Sequence, residues 1–268
     1  MSLIIPQDYT EFLHWVKERT EAFWNADSDE NSSEFVCDDW VRGAKWIGMT
    51  DEEIEAVETK HQIKFTDHHK KFLKILHTID RKQTIFDGTL NEKGLLVPKE
   101  VSLFYNWYAE EEEITQHLNK PFNLLEEEVV NNTVWLDSWG EKPESNEDKQ
   151  HIFSTWFNNA PKLIPINLNT FAISEPTNTD NPILLVHGRN TIIKGGNIKH
   201  YLLQELDADL GLLEYVYDET DEGWYEEPKE ELTAIYDAEY DALKTKEIPY
   251  WKEFLLTNGF NDYLVKGC

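Results

Sequence analysis

Residues 46–76, WIGMTDEEIEAVETKHQIKFTDHHKKFLKIL, leave the backbone few choices. Thr50 with Glu53 three residues later is the pattern of a capping box, in which each side chain satisfies the other's backbone N–H. Asp51, Glu52 and Glu53 set negative charge at the positive end of the helix dipole. Ile54 and Val57 then share one face, with Glu55 and Glu58 off it. Residues 62–65, QIKF, alternate polar with apolar. Thr66 and Asp67 restart a helix whose apolar stripe is Phe72, Leu73, Leu76 and Ile79. The stretch therefore predicts two short amphipathic helices with a tight connection.

The chain has 268 residues, enough for one large domain or two small ones with a sizeable core. Aromatics make up 13% of it, including 10 Trp, which excludes a disordered chain. The longest apolar run, near residues 183–186, fits one buried strand and falls far short of a membrane span. Residues 1–6 lack the basic start of a secretory signal. The two cysteines, Cys37 and Cys268, lie far apart and read as free thiols in a reducing cytoplasm. The formal net charge of -27 repels nucleic acid and anionic membranes and attracts a basic protein partner. Charge of this kind also serves solubility alone, so it speaks to association and not to fold.

In chain order, residues 9–24 read as a helix with Tyr9, Phe12, Leu13, Val16, Phe23 and Trp24 on its apolar face, and residues 25–34 as an acidic loop. Trp40 and Trp46 are expected as packing anchors. Short strands with turns at Asp87-Gly88 and Lys93-Gly94 precede an aromatic cluster of Phe104, Tyr105, Trp107 and Tyr108. A helix follows the acidic run 110–113 to about Leu118, and a second acidic run occupies 126–128. Val134 and Leu136 flank Trp135 in a strand-like run that ends at Trp139-Gly140. A helix with Ile152, Phe153, Trp156 and Phe157 on its apolar face closes at Pro161. Leu163 to Ile166, with Pro165 inside, suits an edge strand. Residues 183–187 and 191–194 form a hairpin around Gly188-Arg189-Asn190, and Asn197 caps a helix through Leu206. Residues 207–241 are dense in acids with Tyr215, Tyr217, Trp224, Tyr225, Tyr236 and Tyr240 interleaved, and these rings are expected to be buried against the domain. A final short helix carries Phe254, Leu255 and Leu256 and stops at Gly259.

Several of these pieces together resemble the SMI1/KNR4 (SUKH) superfamily. Its domain opens with an acid-rich helix, an alternating link and a second helix ending in Phe-Leu, as at residues 46–76. Where the family usually has a proline and then an aromatic at the start of that second helix, this chain has Thr66 and His69. A bacterial branch continues with a Trp-containing strand and a WG-x-x-P element, here Trp135 and Trp139-Gly140-Glu141-Lys142-Pro143. Next come Ala160-Pro161-Lys162-Leu163-Ile164-Pro165-Ile166, Pro176 through Asn181-Pro182-Ile183-Leu184-Leu185-Val186, Thr191-Ile192-Ile193 and Tyr201-Leu202-Leu203. The branch often carries aromatic-Leu-Pro where this chain has Thr170-Phe171-Ala172-Ile173. The likeness covers about residues 40–206. It implies an α+β fold, a mostly antiparallel sheet with helices packed on one face. An N-terminal helix and loop (1–39) would precede this domain (40–206), and an acidic aromatic extension (207–268) would pack on it.

No catalytic signature accompanies these elements. HExxH, CxxC, a Gly-rich phosphate loop and G-x-S-x-G are all absent. His68 and His69 are adjacent, so on a helix they point about 100° apart and chelate one metal poorly. Each of the nine histidines is expected at the surface or satisfied in the core. Cys37 sits beside Asp38 and Asp39, which disfavour a thiolate. With 52 acidic residues, sequence-adjacent carboxylates carry no information about acid–base chemistry. The expectation is a non-enzymatic protein without cofactor or metal. The resemblance implies bacterial immunity against a toxin, many such toxins being nucleases, through occlusion by acids that imitate phosphate. Candidate contacts are Glu111, Glu112, Glu127, Glu226 and Glu227, with Trp139 and Trp224 as anchors. The alternatives are a carbohydrate or small-ligand binder built on stacked aromatics, and a regulatory scaffold as in fungal relatives of the family. Oligomeric state and sheet order are left open by the sequence.

Overall fold

The structure, a computed structural model, describes residues 4–26, 36–86, 88–131, 134–175, 180–248 and 250–257. Cys268, Pro176, Gly259, Asp87 and the acidic stretch from residue 27 lie outside them. In chain order the elements are α1 (Tyr9–Trp24), β1 (Trp46–Ile47), α2 (Asp51–His61), α3 (Asp67–Leu76), β2 (Thr78–Ile79), β3 (Gln83–Ile85) and β4 (Lys99–Val101). Then follow α4 (Glu111–Val130), α5 (Asn146–Asn159), β5 (Lys162–Asn167), β6 (Thr170–Ser174), β7 (Ile183–Leu185), β8 (Ile192–Gly195) and α6 (Ile198–Glu205). The C-terminal part adds β9 (Leu213–Asp218), β10 (Gly223–Pro228), α7 (Glu230–Thr245) and α8 (Trp251–Thr257). The protein is α+β. Among the described residues no helix is long and apolar enough to cross a membrane.

The largest sheet has four antiparallel strands in the order β5-β6-β7-β8. Leu163 faces Ile173 across β5–β6, Ile164 faces Ala172, and Phe171 and Ala172 face Leu184 and Ile183 across β6–β7. Successive side chains of a strand point to opposite faces. Leu163, Phe171, Ile173 and Leu184 enter one hydrophobic core, while Ile164, Ile166, Ala172 and Ile183 enter another. Helices therefore cover both faces, which corrects the expectation of helices on one. The physical reason stands in the strands: LIPI, FAI and ILLV lack the polar alternation of a half-solvated sheet. The first core gathers α1, α2, α3, α6 and Leu232 of α7, and the second gathers Leu125, Val129, Phe153, Trp251, Phe254 and Leu255. Pro165 lies in β5, an edge strand, where its missing N–H costs no ladder bond.

The capping box of α2 forms as expected: Thr50 Oγ1 accepts the Glu53 N–H at 3.2 Å, and Glu53 Oε2 accepts the Thr50 N–H at 2.7 Å. Thr66 caps α3 by accepting the His69 N–H. Glu58, expected off the apolar face, is instead buried. Gln62 ends α2 in the left-handed region at φ 52° and turns the chain so that Glu58 Oε1 meets the Phe65 N–H at 2.8 Å. Its Oε2 meets Lys70 and Lys64 Nζ at 3.0 and 3.2 Å. Burial pushes this carboxyl up, but the Phe65 N–H bond and the two lysines outweigh it and hold it below the usual range. A backbone donor without another acceptor recruited the acid.

Two further expectations are corrected. The helix after residue 110 does not stop near Leu118 but runs 20 residues through Pro121 to Val130. Ile114, Leu125 and Val129 tie it into both cores, and that burial overrides the proline. The run around Trp135 is extended but pairs with no strand among the described residues, and it enters a 3-10 turn at Asp137–Trp139.

Candidate functional site

The acidic runs have different structural duties. Glu111 and Glu112 stand in the first turn of α4, whose N-cap Glu110 makes no side-chain capping bond, so their charge answers the exposed N–H groups there. Glu111 also pairs with Lys60 at 3.2 Å, on the wall of a cavity of about 410 Å³ between α2, α4, α5 and β5. Glu112 accepts from Gln116 at 3.3 Å. Glu127 is exposed near the opposite end of α4. Glu230 and Glu231 open α7 in the same way that Glu111 and Glu112 open α4.

Trp139 is packed. Its ring meets Trp135 at 5.0 Å and 83° and Trp156 at 5.6 Å and 69°, and Trp156 meets Trp251 at 5.4 Å and 77°. These edge-to-face contacts bind the rings to the second core. They do not present the coplanar faces on which a sugar stacks. A shallow groove of about 430 Å³ borders them, lined by Trp139, His151, Thr155, Trp156, Asn159 and Tyr250.

Trp224, Glu226 and Glu227 fall together on β10. Strands β9 and β10 form a two-stranded hairpin with Trp224 opposite Tyr217, Tyr225 opposite Val216, Glu226 opposite Tyr215 and Glu227 opposite Glu214. One face thus carries Tyr215, Tyr217, Trp224 and Glu226. The other carries Glu214, Val216, Asp218, Tyr225 and Glu227. Both faces are exposed, with Trp224 at 68%. The expectation that the rings of this segment are buried is corrected for Tyr215, Tyr217, Trp224 and Tyr225, while Tyr236 and Tyr240 on α7 are half-buried. On one face Tyr217 and Trp224 cover each other, their rings meeting at 5.3 Å, and Tyr215 Oη donates to Glu226 at 3.2 Å.

The hairpin is anchored at its base. The Lys229 N–H bonds Leu212 O at 2.9 Å, Lys229 Nζ reaches Gly211 O at 2.7 Å, and Leu212 and Leu232 are buried. Between residues 213 and 228 stand Glu214, Asp218, Glu219, Asp221, Glu222, Glu226 and Glu227, and no lysine or arginine. Asp218 accepts the Thr220 N–H at 2.7 Å, which holds its carboxyl below the usual range and keeps it charged. Burial around the ring and the Glu226 carboxylate raise the Tyr215 phenol, so it remains a donor. Chemically the hairpin offers amphipathic rings and fixed negative charge, the pair of features that desolvates and orients cationic side chains.

Tyr215, Tyr217 and Tyr225 were not expected as contacts. Their signal was present in EYVYD and GWYEE, two strand-forming runs around a polar turn. No group of three or more His, Cys, Asp or Glu able to hold a metal exists among the described residues. The His68 ring stacks on Tyr9 at 4.2 Å, while the His69 ring turns inward against Phe65 at 4.8 Å. The expectation that core histidines are satisfied is corrected: among the described residues no hydrogen-bond partner meets the buried His69 Nε2 or His77 Nδ1. His77 Nε2 accepts the Trp107 N–H at 2.8 Å, so its lone proton sits on Nδ1. Burial raises the Cys37 thiol, with Arg42 opposing and Asp209 and Asp38 adding, so it is a poor nucleophile. Compared with protein-family models, curated proteins and solved structures, the chain matches none.

Proposed function

We propose that this chain is a non-enzymatic, cytoplasmic protein-binding protein that neutralises a basic, nuclease-type toxin by occlusion. The observation that supports this most is the β9–β10 hairpin, which exposes four aromatic rings among seven carboxylates with no cation between residues 213 and 228. Exposed aromatics of this kind are the usual anchors of protein interfaces, and their cost in solvent is repaid only on contact. The carboxylates meet the lysines and arginines with which a nuclease holds phosphate, and the net charge of -27 accelerates the encounter. The likeness of residues 40–206 to the SMI1/KNR4 superfamily points the same way. Within this reading Trp224, Glu226 and Glu227 are contacts, joined by Tyr217 and Tyr225. Glu111 and Glu112 serve α4, and Trp139 serves the second core.

Co-expression with a basic, nuclease-type toxin, taken from beside its gene if one is encoded there, tests the reading. The wild-type chain should restore growth and bind the toxin in a complex that salt weakens. Combining Trp224→Ala with Glu226→Gln and Glu227→Gln should weaken binding by about a hundredfold while leaving the melting temperature in place, since all three side chains are exposed. An unchanged affinity in that variant would remove the hairpin from the interface. A wild-type chain that neither binds nor protects would remove the immunity role.

A further inference from the structure

A second exposed projection has the opposite character. Strands β3 and β4 pair antiparallel, Gln83 with Val101 and Ile85 with Lys99. Beyond them the two chains continue as an arm: Leu90 bridges Leu96, the Val97 N–H bonds Thr89 O at 2.8 Å, and Asn91 closes the tip by accepting the Lys93 and Leu95 N–H groups. Gly94, at φ 73°, makes that tip possible. The arm exposes Phe86 at 60%, Leu90 at 58%, Leu95 at 61%, Leu96 at 52% and Val97 at 37%. Neither edge of the β3–β4 pair carries a further strand among the described residues. Exposed apolar side chains beside open strand edges form a surface made for contact.

We propose that this arm is a self-association surface whose occupant is the same arm of a second copy of the chain. Charge selects the occupant. In sequence, residues 82–101 contain Lys82, Lys93 and Lys99 against Asp87, Glu92 and Glu100, a formal charge of zero. The whole excess of -27 therefore lies elsewhere. Two copies that approach through any acidic face repel each other, whereas two that approach arm to arm meet a neutral, apolar surface. A two-fold contact must also be self-complementary. The arm is compatible with that demand because it carries both signs, Glu92 with Lys93 and Lys99 with Glu100, and so presents no net charge to a second copy. The interface uses none of the residues proposed to meet a toxin, and it stands whether or not that role holds.

Sedimentation of the purified full-length chain over a range of concentrations tests it, at low and at high salt. The expected result is a monomer–dimer equilibrium that tightens as salt rises, because screening removes the repulsion between two acidic bodies and leaves apolar burial intact. Toxin binding responds to salt in the reverse direction, so the two proposals fail separately. Leu90→Glu with Leu96→Glu, both at exposed positions, should keep the melting temperature and raise the dimer dissociation constant by about a hundredfold or more. A chain that stays monomeric at every concentration and salt overturns the proposal. So does a dimer that the double variant leaves unchanged.

Discussion

Gly48 shows how a single position can be fixed by its surroundings. A Cβ added there would stand 2.0 Å from Lys74 O, because β1 lies directly against the backbone of α3 and the Met49 N–H bonds Leu73 O at 2.9 Å. A backbone carbonyl cannot swing aside as a side chain does, so Gly48→Ala should cost about 3 kcal/mol, read as a lower denaturation midpoint. A midpoint within experimental error of wild type would contradict this contact. Caps were legible at the same scale, since Thr50, Thr66 and Asn197 act through neighbours three residues away. Glu58 was not, because its partner Phe65 comes within reach only after the left-handed turn at Gln62. The hairpin aromatics were visible as residues, but their exposure was not: burial depends on what another part of the chain covers, and among the described residues both faces of β9 and β10 stay exposed.

At the scale of elements, β5 and the β7–β8 hairpin followed from short β-branched and apolar runs between turns, whereas β9 and β10 were expected only as an acidic aromatic extension and the run around Trp135 was expected as a strand that the described residues do not form. The faces of the sheet followed only once the two cores were seen. Helix α4 was the element least legible in sequence, since Pro121 reads as a breaker and local signals divide the helix there. Its central turn bears a proline that lacks an N–H for the His117 carbonyl, while the flanking residues Ile114, Leu125 and Val129 are buried. Pro121→Ala restores that donor and a better helix former. It should stabilise the protein by about 1 kcal/mol, the gain being smaller than in a free helix because the buried ring is also lost. Thermal unfolding measures it, and a lowered melting temperature would mean that the ring's packing outweighs the hydrogen bond.

For the whole molecule, buried titratable groups set the response to acid. Burial lowers His69 to about 3, His77 to about 4 and His117 to about 4, from an ordinary value of 6.5. Below pH about 6.5 the unfolded chain therefore binds protons that the folded chain refuses, and stability falls as pH drops. Asp209 acts in reverse. Burial raises its carboxyl to about 6, the Trp24 indole N–H opposes this, and Asp38 and Asp207 add to it, so its contribution is regained on acidification through that value. Glu205 and Asp207 are raised as well, burial being the first cause in each. The three histidines outweigh these acids, leaving roughly one to two protons taken up on unfolding between pH about 6 and 5. Stability should accordingly decline by about 1–3 kcal/mol per pH unit there. A melting temperature that rose over the same interval would contradict the histidine burial. The two-sided sheet also governs how the polypeptide can be made. The first core waits for Leu232, and the second waits for Trp251, Phe254 and Leu255. While a ribosome is still extending the chain, β5, β6 and β7 thus have one or both faces uncovered, and their apolar runs are open to neighbouring nascent chains. A cell that makes this protein must keep those strands apart, by chaperones or by slow initiation, until α8 has emerged.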